Sequence, residues 1–179
     1  MVALSAAAAN APPAPRRLGR RDLPEVERHL LAFGPADRRK RFLFPADDGA
    51  IARYAATLDP DRAVLVGAAD PDGRLAGIAE AHPVLDAPGT VEVAVSVHPY
   101  HRHEGLGRRL VARALAIAFN GGAEAALFLF APENRAVAGL ASALGARFPA
   151  PGRAVILAGA PRAGSAAPSA TADALDWAA

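Results

Sequence analysis

The 179-residue chain has no cysteine. That absence removes disulfides, thiolate metal sites and a cysteine nucleophile together, so any chemistry must use other side chains. Aromatic residues make up only 6%, and the single tryptophan, Trp177, stands in an alanine-rich C-terminal stretch, so the core must be mainly aliphatic. Lysine is scarcer still, because Lys40 alone among the 20 basic residues is not an arginine. In a chain heavy in Ala, Pro and Gly this reads as compositional bias, and single arginines carry little functional weight. An excess of one charge is also lacking. The 18 acidic residues leave a net charge of +2, which disfavours a general nucleic-acid binder. No apolar run reaches the roughly 18 residues that a membrane helix needs. The most apolar region, residues 110 to 131, is interrupted by Arg113, Asn120, Gly121, Gly122 and Glu124.

What is present suffices for one core. Hydrophobic residues at 52% and charged residues at 21% supply enough apolar material for one globular domain, and 179 residues are too short for two comfortable ones. Residues 1–15 and 159–179 are mostly Ala, Pro, Ser and Gly, which cannot bury enough side chain to offset the entropy of ordering. A disordered leader and a flexible tail are expected around a domain at 16–158. The alanine run of the leader is weakly apolar and has no positive charge before it, unlike a signal peptide. A cytoplasmic protein without membrane contact is the expectation.

The front third reads as helical. Leu23, Val26, Leu30 and Phe33 recur at helical spacing over 22–33, behind Asp22 as N-cap and Pro24 in the first turn. A second helical region follows Pro35, and a third, after the break at 45–49, carries Ile51, Tyr54, Ala55 and Leu58. From Arg62 the period changes, since residues 63–70 and 74–85 are short apolar runs flanking Asp70-Pro71-Asp72-Gly73, a hairpin signal. Residues 90–97 then alternate Val91, Val93, Val95 and Val97 with Glu92, Ala94 and Ser96, giving a strand with two chemically different faces. An amphipathic helix over 106–119, a buried strand over 125–130, a helix over 134–144 stopped by Gly145, and a strand over 154–157 complete the order. Helices followed by β-β-β-α-β-α-β make an α+β, or mixed α/β, fold. The strand at 90–97 should run antiparallel to its predecessor and, across the intervening helix, parallel to the strand at 125–130.

One segment points to chemistry. In VEVAVSVHPYHRHEGLGRRL a valine-rich strand passes through His98-Pro99 into Arg102, Gly105 and Gly107 and then into the amphipathic helix. Glycines there let backbone N–H groups approach a ligand, and the helix N-terminus offers unpaired donors and partial positive charge to phosphate oxygens. The same glycines also suit a plain tight corner. The spacing R-x-x-G-x-G in Arg102, Gly105 and Gly107, followed by Asn134 and then Gly145 in L-G-A-R-F, resembles the signatures of the GNAT superfamily of N-acetyltransferases. The resemblance covers roughly residues 16–158 and is strongest over 90–148.

The resemblance implies a central mixed, mostly antiparallel sheet flanked by helices, with two central strands splayed apart to admit acetyl-CoA. Val95, Ser96 and Val97 would offer backbone groups to the pantetheine and thioester. Arg102, His103, Glu104, Gly105, Leu106, Gly107 and Arg108 would wrap the pyrophosphate, and Asn134 would contact the pantetheine end or a nearby water. It also implies direct attack of an amine on the thioester in a ternary complex, without a metal. The acceptor would be a small-molecule amine or a protein lysine. Direct attack needs a neutral amine, and the family often uses a carboxylate on the central strand as base. Glu92 is the candidate, with partial burial expected to tune it, and Ser96 and His98 stand in reserve. Where many members carry a proton-donating tyrosine, seven residues after the asparagine, this chain has Ala141. A non-catalytic acyl-CoA-binding regulatory module is therefore the competing reading.

His98, His101 and His103 form an H-x-x-H-x-H cluster, but a loop with no cysteine partner is a poor zinc site. The run Arg38-Arg39-Lys40-Arg41 is expected to be a solvated helix face. A monomeric fold unit is expected, and a homodimeric assembly stays open.

Overall fold

A computed structural model describes residues 14–159. The expected leader up to residue 13 and the tail from residue 160, Trp177 included, lie outside them. The elements are β1 (Arg16–Arg17), α1 (Leu23–Leu31), α2 (Pro35–Phe42), α3 (Asp48–Thr57), β2 (Val64–Ala69), β3 (Leu75–Pro83), β4 (Thr90–Val97), α4 (Leu106–Asn120), β5 (Ala125–Leu129), α5 (Arg135–Ala143), β6 (Arg147–Ala150) and β7 (Arg153–Leu157).

The period-2 alternation of β4 sends its residues to two different layers. Val91 and Val93 join Ala79 and Ala81 of β3 on one face, packed against Leu106, Leu110, Val111 and Ala114 of α4. On the other face Ile78 of β3 packs with Leu65 of β2, Val26 and Leu30 of α1 and Ile51 of α3. Two helical layers thus sandwich one seven-stranded sheet in the order β1-β2-β3-β4-β5-β7-β6. Strand pairing is antiparallel throughout except between β4 and β5, which are parallel across α4.

The parallel pair is short. Thr90, Val91 and Glu92 face Ala125, Ala126 and Leu127, and there the ladder stops, although β4 continues to Val97 and β5 to Leu129. Beyond Glu92 the β5-facing edge of β4 has no strand partner among the described residues. This is the splay that the resemblance implies.

Several expectations need correction. Asp22 precedes α1 but does not cap it, because its carboxylate accepts from the Gly19 N–H at 2.8 Å and pairs with Arg16. The basic run of α2 is not one solvated face. Arg39 and Lys40 are exposed, whereas Arg38 donates to the carbonyls of Phe33 and Leu31 and pairs with Asp48 at 2.7 Å, and Arg41 turns inward. Positions 38 and 41 are three apart and share the core side of the helix. Two strands, β1 and β6, went unread because two and four residues at a sheet edge show too little alternation to register.

Candidate functional site

The glycine loop begins where β4 leaves the sheet. The His98 N–H donates to Ala76 O at 2.8 Å, a short 3-10 turn follows over 99–101, and His103 and Gly105 both adopt positive φ, at 65° and 72°. Gly105 is the N-cap of α4, and open space surrounds the position its Cβ would occupy. Arg109 is the first α4 amide to close a helical turn, donating to Gly105 O at 3.1 Å. The earlier N–H groups of a helix have no partner within it and are free for an anion. Leu106 buries its side chain in the core while its backbone forms this rim, and Glu104 and Arg108 are exposed.

Gly107 has a different role from Gly105. A Cβ there would meet Leu140 Cδ1 of α5 at 3.2 Å and Val97 at 3.5 Å, so this glycine is needed for helix–helix and helix–strand packing. That packing is a reason for glycine here that stands beside the expected close approach of a phosphate. Arg102 is engaged as well. Its Nε donates to Val97 O at 3.0 Å and its Nη2 pairs with Asp37 of α2 at 2.9 Å, tying the loop to the helical front third. Asn134 caps α5, its side chain accepting weakly from the Val137 N–H at 3.4 Å. Val95 and Val97 point towards the α4 layer, and Ala141 is fully buried there.

The opposite face of β4 opens on a cleft of about 390 Å³ between the strand and α2–α3. Glu92 lies in its lining beside His82, its register partner on β3. Glu92 is exposed and forms no ion pair among the described residues, so the expected partial burial is corrected. The buried carboxylate is Glu80, one pleat along β3, at 1% exposure. It accepts from Arg41 Nη2 at 2.6 Å and from the Tyr54 hydroxyl, and His82 Nε2 lies 3.0 Å away. Burial by itself pushes the Glu80 carboxyl up, but the Arg41 guanidinium and these hydrogen bonds outweigh it and hold it down at about 2. Tyr54 is pushed up by burial and by the Glu80 charge beside it. Glu80 is thus a fixed anion with its oxygens occupied, whereas Glu92 is exposed in the cleft lining without an ion pair among the described residues.

Ser96 and His98 divide between structure and surface. Ser96 is buried, with its Oγ 3.0 Å from His29 Nε2, while His29 Nδ1 donates to Leu75 O at 2.8 Å. A carbonyl can only accept, so the proton sits on Nδ1 and Nε2 receives the Ser96 hydroxyl. Burial pushes His29 down to about 4, which keeps the imidazole neutral. His98 is half-buried and lies between Phe33 and Tyr100 with the rings tilted, at centroid distances of 6.4 and 5.3 Å. Among the described residues no group of three His, Asp or Glu side chains is placed to hold a metal.

Sequence reasoning missed His29, Asp37 and Glu80, and it read Arg41 only as part of a solvated basic run and Tyr54 only as part of the third helix. A lone carboxylate inside the apolar run LAGIAEA was a legible signal for Glu80, and His29 falls on the Val26–Leu30–Phe33 stripe. Asp37 carried no such mark.

The sequence profile of the acetyltransferase (GNAT) family matches residues 26–146. Set against curated proteins, the chain finds no match. Among solved structures it resembles the GNAT domain of PAT from S. lividans, at 17% identity and a TM-score of 0.66, over 80% of this chain and 89% of that one. It also resembles the spermidine N-acetyltransferase of Vibrio cholerae in complex with CoA and spermine, at 20% identity and 0.63, over 84% and 98%. A phosphinothricin acetyltransferase from Sinorhizobium meliloti in complex with acetyl-CoA aligns at 18% and 0.63, over 81% and 86%. At such identities the likeness is one of fold, and the family assignment rests on the profile. That profile runs from α1 to just beyond α5 and takes in the splayed strands and the glycine loop, and the chain belongs to the acetyltransferase (GNAT) family.

Proposed function

We propose that the protein is an acetyl-CoA-dependent N-acyltransferase that moves an acetyl group to a primary amine by direct attack in a ternary complex. The observation that carries this reading is the parting of β4 from β5 immediately after Glu92. The parting leaves an unpaired strand edge between the open N-terminus of α4 and a cleft that contains a free carboxylate. Those features fit acetyl-CoA. The α4 amides and the Gly105 corner would hold the pyrophosphate, and the free edge of β4 beyond Glu92 would hydrogen-bond the pantetheine arm. When bound, the thioester supplies an activated acetyl group.

The chain's own residues do the rest. Glu92 takes the proton of the incoming amine, directly or through a water, as the C–N bond forms and the C–S bond breaks. No hydroxyl stands at Ala141, so the departing thiolate is met by the dipoles of the free β4 edge and by water. The buried Ser96–His29 pair positions β4 against α1, and Arg102 contributes charge to the phosphate side.

Release of free CoA thiol from acetyl-CoA in the presence of a panel of amines tests the reading. Glu92→Gln is expected to lower turnover by about 10²-fold or more, as loss of a general base does, with CoA affinity unchanged. Wild-type protein that binds CoA in calorimetry yet releases no thiol with any amine would establish the regulatory-module reading instead, which Ala141 favours.

A further inference from the structure

The acceptor cleft has a one-sided composition. We infer that it selects a small amine with a single positive charge and an apolar, best aromatic, body; the inference rests on the acyltransferase reading for the chemistry but not for the binding. One wall is aromatic. Phe42 packs on Phe44 at 6.1 Å and edge-on to Tyr54 at 5.3 Å between ring centroids. The rim is apolar too, since Leu43 and Phe44 are 50% and 52% exposed. Leu43 holds a left-handed conformation, φ 64°, at the end of α2, and the turn it makes presents both residues outward. Large apolar side chains kept in solvent beside a cleft mark a binding surface.

The charges decide which amine. Glu92 is the one carboxylate in the lining among the described residues, and it is unpaired. An ammonium group placed against it would lie at the parting of β4 and β5, with its body along the rings. Among the described residues lining the cleft an acidic acceptor finds no spare cation, because the guanidinium of Arg41 is bound to Glu80 and Tyr54 with its unpartnered Nε sealed from solvent, and His82 Nε2 lies against Glu80 at 3.0 Å. A polyamine fares no better. The nearby acids Asp47 and Asp48 are occupied, one capping α3 and the other pairing with Arg38. A second ammonium would therefore meet no second free carboxylate in the lining among the described residues, only apolar side chains and ring faces of which Phe42 and Tyr54 already hold Arg41. The cleft volume of about 390 Å³ suits one small molecule.

Calorimetric titration of amines into the CoA-loaded protein separates this inference from the enzymatic reading. 2-Phenylethylamine is expected to bind at least tenfold more tightly than ethanolamine, spermidine or glutamate. Phe44→Ser, at an exposed position that leaves the core intact, is expected to erase that preference while ethanolamine affinity stays within twofold. Spermidine or glutamate binding as tightly as 2-phenylethylamine, or a preference indifferent to Phe44→Ser, overturns the inference. Thiol release is measured in parallel. Selective binding of 2-phenylethylamine without thiol release would refute transfer and leave the selectivity standing.

Discussion

Single residues decide the site's protonation. His29 is neutral in the fold because burial lowers it from 6.5 to about 4, and Glu80 is ionised because Arg41 and its hydrogen bonds lower it from 4.5 to about 2. Between the unfolded and folded values the unfolded chain binds more protons, so both groups stabilise the fold at neutral pH and lose that contribution on acidification. The His29 contribution is complete above about 6.5 and disappears as pH falls to about 4; that of Glu80 disappears from about 4.5 to about 2. Urea unfolding at a series of pH values should therefore show a midpoint that falls from pH 6.5 downwards. His29→Gln should flatten the upper part of that fall and leave the lower part. A midpoint independent of pH between 6.5 and 4 in the wild type would mean that His29 is not held neutral by burial.

Elements place what residues cannot place alone. The two glycines of the loop make different demands, and substitution should separate them. Gly105→Ala puts a side chain at φ 72° in open space, so strain of about 1–2 kcal/mol is the expected cost in thermal stability. The distorted corner should also weaken CoA measurably. Gly107→Val drives a branched side chain into Leu140 and Val97, and overpacking of about 1–3 kcal/mol is expected with α5 displaced. If Gly107→Val kept full stability and lost only CoA, close approach of the phosphate would be the better account. The tie between Arg102 and Asp37 makes a second prediction for the loop and α2. Asp37→Asn removes the competitor for the Arg102 guanidinium and should tighten CoA, whereas Arg102→Ala should weaken it by about 1.5–3 kcal/mol. Equal affinities in the two variants would place Arg102 outside the phosphate contacts.

At the scale of the molecule, the two core clusters share strands β2 and β3, with α4 on one face and α1 and α3 on the other. Cavities made on either side should therefore lower one common transition. Leu110→Ala and Ile51→Ala, both at fully buried positions, should each cost about 2–5 kcal/mol without splitting the unfolding curve. Separate transitions in either variant would show that the helical front third is an independent unit. Sequence pattern alone carried the order of the elements other than the short edge strands β1 and β6, the valine face of β4, the antiparallel β3–β4 and parallel β4–β5 pairings and the glycine corner, because each depends on periodicity or on turn chemistry within a few residues. It could not order the carboxylates. Glu92 and Glu80 both stand on the same face of adjacent strands, and only the approach of α2 and α3 over that face buried one against Arg41 and Tyr54 and left the other open. The same holds for Ser96 with His29 and for Arg102 with Asp37, pairs 67 and 65 positions apart in the chain. Burial and charge pairing are properties of what packs on a residue from elsewhere, so the tertiary structure decided them.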